Sequence, residues 1–179
     1  MKKIILAGIV FILVCGVGIM FYMGVFTRVT KHILEKDMGP YKLVYVEQKG
    51  SYEQTQNTIQ NLTDSLEAQG ISAYKGFSIY YDDEKKTPKE NLHSDVGCLL
   101  KKEDCDKIDT MKFKVKEFQM QHCVVANFSY RIGLSVLLGK MKVYPALEIY
   151  LKNRHYNKIP LMELYGPKSI TYIVPISYQ

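Results

Sequence analysis

The sequence predicts an α+β protein: duplicated strand-helix-strand-strand units forming an antiparallel sheet with a central cleft, preceded by one transmembrane helix. Three observations carry this. From Ile4 to Phe26 there are 23 residues without a charge. Beyond them, segments with strand-like alternation and segments with helical spacing follow one another in the same order twice. Finally, "SIYYDD" in the first half lines up with "MELYGP" in the second, and "DVGCLL" with "TYIVPI".

Taken in order, the uncharged run reaches about 34 Å as a helix, enough for a hydrocarbon core of about 30 Å. It is longer than the apolar stretch of a signal peptide and has no small-residue cleavage pattern after it, so a retained anchor over residues 1–27 is expected. Lys2 and Lys3 flank one end, and Arg28, Lys31 and Lys36 the other, so flanking charge leaves orientation close to a tie. Residues 28–40 read as a polar stem ending in Gly39-Pro40, and residues 41–179 as the domain.

Tyr41 to Glu47 alternates as a strand. Ser51 stands three residues before Gln54, a capping-box spacing, and Ile59, Leu62 and Leu66 recur at helical intervals up to Gly70. Phe77–Tyr81 and Asp95–Leu100 read as strands. In the second half Lys114–Phe118 and His122–Asn127 read as strands, and Ser129-Tyr130 enters a helical stretch. Tyr144-Pro145 reads as a helix start, with Pro145 at its first position. Leu161–Tyr165 and Ile170–Ile176 close the chain as strands.

The net charge of +6 is spread among acids, as in Asp82-Asp83-Glu84-Lys85-Lys86. No basic stripe points to nucleic acid, so the expected partners are the lipid bilayer, a small hydrophobic or cationic ligand, and a protein. The setting expected is a single-pass membrane protein of a bacterium or other microbe. His32, His93, His122 and His155 are scattered without zinc spacing, and the acidic run lacks the spacing of a calcium loop, so no metal or cofactor is expected. Cys98 and Cys105 either pair in an oxidising compartment or remain free thiols.

G-S-Y at the first helix entry, I-Y-Y-D-D, S-D-V-G after a Pro-containing loop, and E-L-Y before a strand ending in Pro-Ile resemble the GyrI-like effector-binding superfamily. The resemblance spans about Tyr41 to Ser177. Within it, "FKVKEF", "VVANFSY" and "YPALEIYLKNRHYNKIPLMELY" are similar to a membrane-anchored, testis-expressed branch with a receptor for autophagy of the endoplasmic reticulum. That receptor's disordered tail is not expected here, nor is its role.

The resemblance implies a cleft lined by aromatic rings with an acid that meets a ligand. Glu163 matches the acid of the E-x-Y pattern, and alternation puts it on one face with Leu161 and Tyr165. Tyr165, Tyr81, Tyr130 and Tyr52 are the candidate walls. Thr171 stands where many relatives have a second acid. Relatives that hydrolyse strained compounds pair an acid with a Trp, and this chain has none. The expected function is therefore a non-enzymatic, membrane-tethered binding module for a small apolar or weakly cationic ligand. A protein-interaction scaffold is the second reading, and a hydrolase of strained electrophiles the third.

Overall fold

The structure, a computed structural model, describes residues 2–22, 33–108, 113–129, 134–157 and 160–176, the side chains at 2–7, 21–22, 106 and 134–137 excepted. It opens with α1 (Lys2–Tyr22), whose described side chains from Ile9 to Met20 are largely exposed. Those described side chains, residues 8–20, cover about 20 Å. Among the described residues, no helix is long and apolar enough to cross a membrane. The last residues of the expected span, 23–26, lie outside the described residues.

The remaining elements are β1 (Ile33–Met38), β2 (Tyr41–Lys49), α2 (Thr55–Glu67), β3 (Ala73–Tyr80), β4 (His93–Leu100), β5 (Lys114–Phe118), β6 (Gln121–Ser129), α3 (Leu134–Asn153), β7 (Leu161–Tyr165) and β8 (Ser169–Pro175). They form one antiparallel sheet in the order β1-β6-β8-β7-β3-β4-β2-β5. The order reads as two matching halves joined where β3 pairs β7, so the doubled unit is visible in the topology.

Two faces follow from the two-residue period of a strand. On one lie Gly76, Ser78 and Tyr80 of β3 opposite Tyr165, Glu163 and Leu161 of β7. Here α2 covers β3 and β4 through Leu62 and Leu66, which pack with Val44, Cys98 and Leu100. On the other half α3 covers β6 and β8, where Val143, Leu147 and Leu151 meet Val124, Phe128 and Tyr172. The β3–β7 seam runs between the helices. The opposite face gathers Leu43, Phe77, Ile79, Met162, Leu164 and Ile173 into a separate core.

The structure corrects several expectations. Part of the expected stem is β1, an edge strand on β6. It was missed because its burial alternates weakly, with Leu34 left 43% exposed. Ser51 does not form a capping box with Gln54; its side chain accepts from the Glu53 amide and caps a 3-10 turn over Tyr52–Gln54. Pro145 lies inside α3 instead of starting it. It sits on the exposed side above exposed Met141, where water can take the carbonyl that proline leaves free. Of the two alternatives left open for Cys98 and Cys105, the structure has both as free thiols, and the Cys98 sulfur meets the Thr63 hydroxyl at 3.2 Å.

Gly97 on β4 faces Tyr45 of β2, and a Cβ there would lie 1.9 Å from the Val44 carbonyl oxygen. Only a residue without a side chain lets the two strands approach so closely. Gly97→Ala is expected to destabilise the domain by more than about 2 kcal/mol, read from denaturant midpoints; a change below about 0.5 kcal/mol would contradict this packing.

Candidate functional site

The seam between α2 and α3 holds a cluster built from an acid and hydroxyls. Glu163 is fully buried on β7. Its two oxygens accept one hydrogen bond each: Oε1 from the Tyr144 hydroxyl and Oε2 from the Tyr165 hydroxyl, both at 2.6 Å. The Tyr165 hydroxyl also lies 3.1 Å from that of Tyr80 and 3.3 Å from Ser78 Oγ. Tyr80 packs against Tyr52 with ring centroids 4.5 Å apart and the rings tilted by 49°. The Tyr52 hydroxyl donates to the carbonyls of His93 and Asp82.

Sequence and topology place each member. Glu163 and Tyr165 are two apart on one strand and therefore share a face. Tyr80 is the last residue of β3, pairing Leu161 across the seam. Tyr144 comes from α3, where it meets Tyr172 of β8 edge-on at 5.8 Å. Tyr172 is itself buried, and its hydroxyl has no hydrogen-bond partner among the described residues. Above the cluster, Lys140 of α3 holds its ammonium 5.4 Å from the Tyr80 ring centroid.

The electrostatics follow from burial around one negative charge. Burial first, then the charge of Glu163, pushes the Tyr144 and Tyr165 phenols well above their ordinary pKa. Burial alone is the leading cause for Tyr52, which is pushed up to about 12. Burial pulls Lys140 down, but Tyr80 and Glu163 outweigh it and its pKa is raised overall. Lys140 therefore keeps its charge in the cluster.

Next to this cluster lies a cavity of about 130 Å³ lined by Tyr52, Tyr80, Tyr144, Leu147, Leu151 and Leu161, with the 82–85 loop at its rim. Tyr80 and Tyr144 are the partition between cavity and acid. Their hydroxyls tie into the Glu163 network while the same residues line the cavity.

Of the five expected ligand residues, the structure brings together Glu163, Tyr165 and Tyr52. Tyr130 lies outside the described residues. Tyr81 is on the other side of the sheet, because it follows Tyr80 by one residue. Its hydroxyl donates to Asp95 at 2.6 Å and accepts from Lys116, which also pairs with Asp95. That group borders a second concavity of about 540 Å³ over Leu43, Ile79 and Met162. Among the described residues the larger space has no fully buried acid; the smaller one adjoins Glu163, where charge and hydroxyls converge, and is the stronger candidate. Thr171 also faces away from Glu163, pairing Leu164 and donating to Asn127 at 2.8 Å. Tyr80, Tyr144, Tyr172 and Lys140 were missed by sequence reasoning. For Tyr80 and Tyr172 the signal existed in the alternation of β3 and β8; for Tyr144 and Lys140 nothing local marks the approach of α3 to the seam. Among the described residues, no group of His, Cys, Asp and Glu could hold a metal ion.

Residues 33–133 match the GyrI-like small molecule binding domain. The chain is 30% identical over 113 residues to human testis-expressed protein 264, covering 59% of this chain and 36% of that protein. It is 28% identical over 167 residues to the mouse homolog, covering 88% of this chain and 52% of the relative. The chain thus spans about half or less of the length of these relatives. Among solved structures, the C-terminal domain of EcmrR superposes with a TM-score of 0.61 at 10% identity, covering 82% of this chain and 98% of that one. SAV2435 bound to tetraphenylphosphonium superposes with a TM-score of 0.50 at 12% identity, covering 81% and 93%. These last two likenesses show the fold.

A folded state that holds phenol protons beyond the pH at which the unfolded chain releases them is stabilised at lower pH. That stability is complete below about pH 10 and lost as pH rises above it. Ultraviolet titration of phenolate is therefore expected in two phases: exposed tyrosines near their ordinary pKa, and the seam tyrosines at higher pH together with unfolding. Ionisation of all tyrosines in one phase near pH 10 without unfolding would contradict the cluster.

Proposed function

The chain belongs to the GyrI-like small-molecule-binding domain family, and from that premise we propose that it is a non-enzymatic, membrane-tethered receptor for a small apolar or weakly cationic molecule taken up in the α2–α3 cleft. The observation that carries this reading is the juxtaposition of an aromatic-lined cavity with a fully buried acid, separated by two tyrosines. Tyr52, Tyr80 and Tyr144 offer ring faces to an apolar ligand, and the nearby carboxylate favours a partial positive charge.

Size supports a modest ligand. A cavity of about 130 Å³ is close to the roughly 150 Å³ apolar cavity that admits benzene. One ring fits the resting shape, and a larger ligand requires the tyrosine partition to move. The apolar cation tetraphenylphosphonium, bound by the fold neighbour SAV2435, belongs to that larger class.

Tethering rests on α1 and on the sequence around it. The run Ile4–Phe26 is uncharged, and Phe11, Ile12, Leu13 and Val14 are all more than 60% exposed. Exposed apolar side chains on this scale belong against lipid or another apolar surface. β1 begins at Ile33, so the domain meets its ligand close to a bilayer.

Titration of the full chain in lipid nanodiscs with single-ring alcohols and ammonium ions tests the reading. A ligand at a hundredfold its Kd should contribute about 2.7 kcal/mol and raise Tm by several degrees. Leu161→Trp, which fills the cavity from its rim, should abolish the shift, and Glu163→Gln should reduce it. Absence of a shift with every compound, or an undiminished shift in Leu161→Trp, would sink the proposal.

A further inference from the structure

We propose that the concavity of about 540 Å³ on the other face of the sheet is a second binding site, for an uncharged multi-ring molecule carrying hydroxyl or carbonyl groups at its edge. This site faces away from the α2–α3 cleft and is independent of what that cleft binds.

The concavity exists because the sheet curls. Met38 of β1 pairs Gln121 of β6, and Tyr41 of β2 pairs Phe118 of β5. β1–β2 and β5–β6 therefore run together as one two-stranded ribbon that brings the two ends of the sheet towards each other. The ribbon is tight at its corner: at Gly39, whose φ is +99°, a Cβ would lie 2.9 Å from the Gln119 carbonyl oxygen. Residues 118–121 of that corner make one wall of the concavity, and the ends of β3, β7 and β8 make another. Alternation decides which side chains face it. Tyr80, Leu161 and Val174 line the smaller cavity, whereas the next residues, Tyr81, Met162 and Pro175, line the larger one. The mouth of a barrel-like sheet is a preferred place for ligands, and drug-sized molecules occupy pockets of about 300–1,000 Å³.

The lining points to the class of ligand. Leu43, Ile79 and Met162 give an apolar floor for a ring face, while Gln119, Gln121 and Asn157 bring amides that both donate and accept. Apart from the exposed imidazole of His155, the charged lining residues are Lys116 and Glu117. Each is already matched: Lys116 by Asp95, and Glu117 by Lys42 at 3.0 Å. An ion of either sign entering here gives up hydration and meets a neutralised pair. A neutral oxygen fits better. The Lys116 ammonium has three donors, of which Tyr81 at 3.0 Å and Asp95 take two, so a ligand hydroxyl or carbonyl can accept from the third. Burial, then the hydrogen bond to Asp95, pushes the Tyr81 pKa up, so the phenol keeps its proton beside this group.

Cortisol is a rigid, uncharged, hydroxylated probe that a cavity of about 130 Å³ cannot hold. Its saturable binding is measured by equilibrium dialysis on the full chain in lipid nanodiscs, with empty nanodiscs subtracted, and compared with that of cortisol 21-sulfate. The native protein is expected to bind cortisol, and the sulfate about tenfold more weakly or worse. Gln121→Trp and Asn157→Trp, two exposed rim positions that leave the core untouched, should each weaken cortisol by about tenfold or more. Tyr81→Phe, which releases Lys116 from one partner, should weaken it severalfold. Leu161→Trp, which fills the smaller cavity, should leave it in place. Absence of saturable cortisol binding, or native affinity in both rim variants, would overturn the inference, and sulfate binding as tight as cortisol would overturn the uncharged class. Loss in Leu161→Trp with native affinity in the rim variants would move the steroid to the α2–α3 cleft, overturning this site while supporting that one.

Discussion

A carboxylate with no access to water must be satisfied by its own protein, and Glu163 imposes that demand at the centre of this fold. Its two oxygens take the hydroxyls of Tyr144 and Tyr165, one each, at 2.6 Å. Hydrogen bonds to charged groups contribute about 1.5–3 kcal/mol each, and leaving such a group unpaired costs more. The arrangement therefore needs α3, β7 and β3 in fixed relation. α3 delivers Tyr144 and Lys140, β7 delivers Tyr165, and β3 delivers Ser78 and Tyr80.

The duplicated topology explains why the acid sits where it does. Two similar units meet at the β3–β7 pairing, with α2 packed on β3 and β4 and α3 on β6 and β8. Along the β3–β7 seam between the helices, tyrosine side chains close over Glu163. Tyrosines suit this role because they supply area to bury and a hydroxyl to hydrogen-bond. The same closure leaves a cavity beside Tyr80 and Tyr144. Acid, partition and cavity are consequently one coupled unit.

Most of the fold was legible in the sequence because strand alternation and helical spacing record burial directly. β5 and β7 stand where alternation placed them, and Gly70 takes the positive φ of 71° expected after α2. What escaped was governed by distant parts of the chain. β1 is a strand through pairing with β6, which its half-exposed sequence does not announce. Pro145 looked like a boundary because local rules disfavour proline within a helix, yet packing of Val143, Leu147 and Leu151 carries α3 through it. At the site, Glu163 and Tyr165 were legible from a two-residue spacing. Tyr80, not Tyr81, belongs to the site, since a one-residue difference in a strand reverses the face. Lys140 and Tyr144 depend on how closely α3 approaches the sheet at Gly139, a tertiary fact with no local signature.

Two tyrosine hydroxyls, those of Tyr144 and Tyr165, satisfy Glu163 from within the protein. Proton NMR of the hydroxyl groups tests it most directly, because a phenol proton held in a short bond to a buried carboxylate exchanges slowly and resonates far downfield. Such signals are expected from Tyr144 and Tyr165, each lost in the matching Tyr→Phe variant and both displaced in Glu163→Gln. Hydroxyl protons at both positions that exchange as fast as those of exposed tyrosines would contradict it.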